Sequence, residues 1–173
     1  ENCSISGSAK GFCTAISQNN SHIVNVQAEL DVEIKNEQTG RINYPTYGFV
    51  CGVNYGKIIS SKALGKIVFD VSYEGNSMGS SDLYSSIATF VGENSGEITE
   101  CYSNANIEGN IYDKYDSIMI GGFVGTNVGG DDAVISKSAY DGKIDLTVDK
   151  NTCKMTIGGF VGSVNEGKIE HSL

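Results

Sequence analysis

The chain has 173 residues, enough for one domain with a sizeable core. Its 21 acidic against 12 basic residues give a net charge of -9, which argues against nucleic acid or an anionic membrane surface as partner. With 19% charged residues it is not a disordered acidic tail, and no run approaches the ~18 consecutive apolar residues of a membrane-spanning helix, so membrane insertion of this segment is not expected. Ile (18) and Val (14) outnumber Leu (5) beside 22 Gly, 1 Pro and no Trp, a bias that reads as strands punctuated by turns and excludes helix bundles and coiled coils.

In chain order the sequence repeats itself. Cys3-Ser4-Ile5-Ser6-Gly7 aligns with residues 101–105, midway through a repeat. Gly11-Phe12-Cys13 is a weak copy of a Phe motif, followed by a turn at Asn19-Asn20-Ser21-His22-Ile23 and a strand through Leu30 and Val32. After residues 35–47 the motif returns as Gly48-Phe49-Val50-Cys51-Gly52, with the turn Asn54-Tyr55-Gly56-Lys57-Ile58. The next strand alternates Ile67, Phe69 and Val71 against Lys66, Val68 and Asp70, the period of two that buries one face. Beyond residues 73–86 come Ala88-Thr89-Phe90-Val91-Gly92, the turn Asn94-Ser95-Gly96-Glu97-Ile98, and Ala105 with Ile107. Past residues 109–117 lie Gly121-Gly122-Phe123-Val124-Gly125 and Asn127-Val128-Gly129, here with extra residues 130–134. Ile144, Leu146 and Val148 alternate again, then Gly158-Gly159-Phe160-Val161-Gly162 and Asn165-Glu166-Gly167-Lys168-Ile169 close the sequence.

These landmarks predict three strands per repeat: one through Phe and Val, one at the Ile after the turn, and the alternating one. The glycines of the Asn-x-Gly turns are expected to supply positive φ. A unit of this size cannot bury its apolar face alone, whereas stacked copies can. Residues 1–173 are therefore expected to be one all-β domain, a parallel β-solenoid of about five three-stranded coils with edge-loop insertions, cut from a longer repeat protein. Phe12, Phe49, Phe90, Phe123 and Phe160 are expected in one column, and Asn54, Asn94, Asn127 and Asn165 in another, where their amides can bond along the stack.

Gly-Gly-Phe-Val-Gly followed by Asn-x-Gly-x-Ile-x-x-(Cys/Ser) resembles the GLUG motif, although Phe stands where that family most often has Leu, and Cys13-Thr14-Ala15 replaces Val-Gly in the first copy. The resemblance spans essentially the whole chain. It implies a β-rich structural or adhesive region of a bacterial cell-surface or secreted protein, such as an adhesin-like protein or the N-terminal region of an immunoglobulin A-cleaving metallopeptidase. It carries no catalytic residues to transfer.

The residues themselves point away from catalysis. His22 and His171 are the only histidines, far apart and at turns, so neither a peptidase zinc motif nor a His-based triad can be assembled. Carboxylate pairs of the kind that cleave glycans occur at Asp31 with Glu33, Asp113 with Asp116, and Asp131 with Asp132, but Asp31 and Glu33 align with Lys66 and Val68 in the next copy, as on a solvated face. Gly129-Gly130-Asp131-Asp132 lacks the periodicity of calcium-binding solenoids. The five cysteines (3, 13, 51, 101 and 153) contain no Cys-x-x-Cys pair and read as reduced packing residues. No enzyme activity, cofactor or metal is expected. Tyr44, Tyr47, Tyr73, Tyr84, Tyr112 and Tyr115 fall in or beside the edge loops, where tyrosines either contact a ligand, a protein or carbohydrate of a host or cell surface, or fold back over the first strand. The chain is expected outside the cell, as a monomer or self-associated end to end through uncapped coils. Alternatives are a substrate-recruiting module of a secreted metallopeptidase and a solenoid polysaccharide-cleaving enzyme.

Overall fold

The computed structural model describes residues 2–35, 45–73, 84–113, 117–148 and 155–173. They form a parallel β-solenoid with no α-helix among the described residues. Four walls run along its axis. The first and longest stacks Cys3–Lys10, Val26–Lys35 and Lys62–Tyr73 on two split rungs, Tyr102–Ser103 with Asn106–Asp113 and Ala139–Tyr140 with Ile144–Val148. The second stacks Tyr84–Ala88, Ser117–Gly121 and Met155–Gly158. The third stacks Ile16–Asn19, Cys51–Asn54, Val91–Asn94, Val124–Val128 and Val161–Asn165. The fourth stacks His22–Val24, Lys57–Ile59, Glu97–Thr99, Val134–Ser136 and Lys168–Glu170.

Three walls thus hold five rungs and the second holds three. The expectation of about five three-stranded coils is corrected accordingly: three turns carry all four strands, and among the described residues of the two upper, N-terminal coils only Tyr47 reaches the second wall, as a parallel bridge to Ile87.

Period-two alternation in the first wall fills the interior. Ala28, Leu30, Val32 and Ile34 point inward and are buried, while Glu29, Asp31 and Lys35 are exposed. Parallel register then repeats each inward position one coil down, Val32 on Ile67 on Ile107 on Ile144. Burying each such side chain contributes about 1.5–3 kcal/mol relative to leaving it exposed.

Phe90, Phe123 and Phe160 do not lie within a strand. They stand at the corner between the second and third walls, where one strand ends at Ala88, Gly121 or Gly158 and the next begins at Val91, Val124 or Val161. A Cβ on Gly121 would collide with the carbonyl oxygen of Val124, so this coil needs glycine at its bend, whereas the coil above makes the same corner with Ala88. The three rings stack nearly parallel, with centroids 4.5 Å and 5.0 Å apart and interplanar angles of 12° and 7°.

Phe12 and Phe49 lie outside this column, which corrects the five-Phe expectation. Register pairs Cys51 with Val91 and Asn54 with Asn94, so Val50, not Phe49, occupies the slot above Phe90. The Val50 amide donates to the Phe90 carbonyl accordingly. Phe49 and Phe12 instead pack edge-on against Tyr47, at 6.1 Å and 5.0 Å.

Positive φ follows the expectation at Gly129 (φ 140°) and departs from it in the turns above. Gly56 and Gly96 do not adopt it. They are required because a Cβ on Gly56 would strike the Ser21 backbone, and one on Gly96 the Gly56 backbone, in the coil above. Six of the seven left-handed non-glycine residues described form their own column at the corner from the fourth wall back to the first: Asn2 (φ 52°), Asn25 (55°), Ser60 (50°), Glu100 (56°), Lys137 (48°) and His171 (48°). Adjacent coils bond across it, Asn25 Nδ2 donating to Asn2 Oδ1 at 2.7 Å.

Candidate functional site

Two polar ladders run inside the solenoid. In the first, Asn19 Nδ2 donates to Asn54 Oδ1 (2.7 Å), Asn54 Nδ2 to Asn94 Oδ1 (2.7 Å), and Asn94 Nδ2 to Asn127 Oδ1 (2.8 Å). All four are buried. Each amide also holds its own turn: the Ser21 and Gly56 amides donate to Asn19 and Asn54 Oδ1 at 3.1 Å and 3.2 Å. The ladder ends at Asn127, whose Nδ2 donates to the Ala133 carbonyl at 3.1 Å. Asn165 is not a member, because register sets Val164 beneath Asn127 and leaves Asn165 exposed beneath Val128. The shared pattern is Gly-x-Asn (Gly52, Gly92 and Gly125 before Asn54, Asn94 and Asn127), and the last copy, with Val164 inserted after Gly162-Ser163, breaks it.

The second ladder escaped sequence reading. At the corner after the left-handed residue, the Val26 amide donates to Ser61 Oγ (3.1 Å), Ser61 to Cys101 Sγ (3.4 Å), Cys101 to Ser138 Oγ (3.2 Å) and Ser138 to Ser172 Oγ (3.2 Å). Each hydroxyl or thiol returns a bond to the carbonyl two residues earlier, at 2.9–3.2 Å. Cys101 is thus a serine-like rung. Burial pushes its thiol up to about 12, although backbone contacts from Ser61 and Thr99 act the other way. Burial likewise raises Cys51 to about 11. Cys3 and Cys13 are exposed, and the cysteines at 3, 13, 51 and 101 are free thiols. Cys153 lies outside the described residues.

The interior polar groups are therefore committed to the fold. Ser86 and Thr126 share a 2.6 Å bond, as do Thr89 and Ser103, and no buried polar side chain among the described residues is left without a partner.

The tyrosines separate into different roles. Tyr47 is 1% exposed and donates its hydroxyl to the Cys13 carbonyl at 2.8 Å, with burial holding its phenol above the usual range. It is a cover over the upper coils and not a ligand contact, which corrects that expectation for Tyr47. Tyr112 is 37% exposed, at the outer end of the first wall. Tyr73 and Tyr84 lie at strand ends next to residues 74–83, and Tyr44 and Tyr115 lie outside the described residues.

Asp31 and Glu33 sit on the outer face of the first wall beside a shallow hollow of about 330 Å³ bordered by Lys10 and Lys66. Their lateral neighbours are Ser8 and Lys66 for Asp31, and Lys10 and Val68 for Glu33. Lys35, 2.8 Å from Glu33, holds that carboxyl below its ordinary value. Lys57 does the same to Glu97 and Lys168 to Asp131, each across 2.6 Å. All these shifts run opposite to that of an acid kept protonated for general-acid work. The Asp131–Asp132 insertion forms a 3₁₀ turn, Gly130–Asp132, tied down by Lys168. Among the described residues no three His, Cys, Asp or Glu side chains converge to hold a metal ion. Asp113 lies at a strand end, and Asp116 lies outside the described residues. His22 and His171 are exposed, and no helix among the described residues is long and apolar enough to cross a membrane.

Compared with protein families, with curated proteins and with solved structures, the chain has no significant match.

Proposed function

We propose that this chain is a non-catalytic structural and adhesive repeat segment of a bacterial cell-surface or secreted protein, similar in role to the GLUG-motif regions its repeats resemble. The observation that carries this reading is the commitment of the interior: each buried polar side chain described is consumed by a ladder or a packing bond. Chemistry is left to the outside, where the columns mix unrelated residues: Ser8, Asp31, Lys66, Asn106 and Lys143 succeed one another down one column of the first wall. A stack of this kind sets distance and presents surface. Its partner is a protein or carbohydrate met outside the cell.

The test is a paired assay on the purified chain. Beads bearing it are scored for adhesion to glycan- and protein-coated surfaces, and the same preparation is incubated with polysaccharides and unfolded proteins while product ends are counted. Adhesion without turnover is expected. Turnover abolished by Asp31→Asn or Glu33→Gln would replace this reading with a solenoid enzyme.

A further inference from the structure

At the corner between the third and fourth walls the turns of successive coils line up: Asn19 on Asn54 on Asn94, and His22 on Lys57 on Glu97. The intervening residues therefore make their own columns. Ser21, Gly56 and Gly96 form a floor. Two of these positions cannot carry a side chain, because a Cβ would run into the backbone of the coil above. One side is raised by Tyr55, with Asn20 above and Ser95 below, and the other by His22, Lys57 and Glu97. The result is a trough of about 530 Å³ running along the axis, within the size range of small-ligand sites.

Its lower end is closed by the insertion that interrupts the repeat there. Asp132 of the 3₁₀ turn lines the trough, and the Lys168–Asp131 contact of 2.6 Å anchors that turn.

Tyr55 is the most exposed aromatic side chain described, at 53%, and among the described residues that side chain makes no hydrogen bond or ring contact. Opposite it, Lys57 and Glu97 neutralise each other across 2.6 Å. An open aromatic face beside a mixed row of donors and acceptors defines the ligand chemistry. Duplex or single-stranded nucleic acid would bring phosphates against Glu97 and Asp132. An extended peptide would need free backbone groups to pair with, and those of the floor are already taken, since Ser21 O accepts from Lys57 N, Gly56 O from Glu97 N and Gly96 O from Val134 N. A sugar ring satisfies both sides: its C–H face is weakly positive and apolar and lies on the negative face of an aromatic ring, while its hydroxyls both donate and accept.

We infer that the trough beside Tyr55 is a binding site for an uncharged oligosaccharide lying along the solenoid axis. The inference deepens the adhesive reading above and rests on it for the setting outside the cell.

The experiment is calorimetric titration of the intact chain with short unbranched oligosaccharides of glucose, xylose, mannose and N-acetylglucosamine, with random-sequence hexapeptides in parallel, on the native protein, Tyr55→Ala and Tyr55→Phe. Circular dichroism and the melting midpoint certify that each variant is folded. Saturable binding of at least one oligosaccharide is expected, weakened about tenfold or more by Tyr55→Ala and kept within about threefold by Tyr55→Phe. Binding of no sugar, sugar binding indifferent to Tyr55→Ala, or peptide binding lost in Tyr55→Ala would each overturn the inference. Those outcomes leave the adhesive reading standing, because its own test, bead adhesion without turnover, is scored in the separate assay above.

Discussion

Replacing Asn94 with Ala removes one rung from the middle of the amide ladder. Asn127 Oδ1 loses its donor at 2.8 Å, and the Gly96 amide loses its acceptor at 3.4 Å. Asn54 Nδ2 loses its best acceptor at 2.7 Å and keeps only longer contacts, to Gly56 O at 3.3 Å and Glu97 O at 3.4 Å. Two buried polar groups are thereby left without partners, at about 1–3 kcal/mol each, so the variant should lose about 2–6 kcal/mol. That is a large part of the 5–15 kcal/mol typical of a folded domain. Asn165→Ala, at an exposed position outside the ladder, should change stability by less than about 0.5 kcal/mol. Asn94→Asp sharpens the test. An ionised carboxylate would face Asn127 Oδ1 and the Gly96 carbonyl, both acceptors, so the folded state must hold a proton on it and its pKa rises on folding. Its stability should then be best below the ordinary aspartate range, about 3.9, and fall as pH climbs through neutral, the reverse of a salt-bridged aspartate. Urea melts followed by far-ultraviolet circular dichroism between pH 3 and 8 measure all three variants. A loss below about 1 kcal/mol for Asn94→Ala, or equal losses for Asn94→Ala and Asn165→Ala, would refute the ladder as a source of stability.

The aromatic column predicts that Phe123→Ala costs about 3–5 kcal/mol, since the ring is fully buried between two others. A double-mutant cycle should find about 0.5–1.5 kcal/mol of coupling between Phe90 and Phe123 and almost none between Phe49 and Phe123, and coupling of Phe49 equal to that of Phe90 would restore the single five-ring column. Alkaline pH should unfold the protein from the inside. Thiols raised from an ordinary 9.0 to about 11 at Cys51 and about 12 at Cys101 leave stability untouched below pH 9. Above it each subtracts about 1.4 kcal/mol per pH unit until its folded value is reached. Peptide mapping after native alkylation at pH 8 should find Cys3 and Cys13 modified and Cys51 and Cys101 protected, and a pH-independent melting midpoint from 8 to 11 would contradict the assignment.

The repeat was legible because parallel stacking copies residue type down the axis, and the Asn landmarks fall in register wherever Gly-x-Asn is kept. The Phe landmarks misled in the upper coils for a local reason. Phe49 is followed by Val50-Cys51-Gly52, one residue more before Gly than after Phe90, and the backbone aligns on Gly52 and Gly92, where a Cβ would strike the coil above, leaving the ring free to pack elsewhere. Tyr47 then supplies the cover that the second wall lacks there. The Ser61–Cys101–Ser138–Ser172 ladder was hidden because its rungs look like unrelated small residues. Their common feature is a left-handed residue immediately before each, and left-handed φ at Ser60, Glu100 and Lys137 has no signature in residue type. The candidate site was the least legible. Tyrosines were sought in the edge loops, while Tyr55 occupies the x of an Asn-x-Gly turn, a position that reads as mere spacing.

That placement has a physical logic which extends to the whole surface. In the coils of Asn54 and Asn94 the ladder asparagine and the glycine two residues later are fixed by contacts along the axis, so neither can vary without orphaning an amide or colliding with the coil above, whereas the first coil carries Ser21 at the glycine's place. The residue between them touches neither constraint and points outward. Asn20, Tyr55 and Ser95 show how freely it changes from coil to coil. A column of such positions is a surface that can be rewritten one coil at a time at little expense in stability, flanked by a second free column at His22, Lys57 and Glu97. Specificity for a partner can therefore accumulate along this corner while the interior stays the same, and a floor of small residues between two variable rims is what the stacking rule leaves behind.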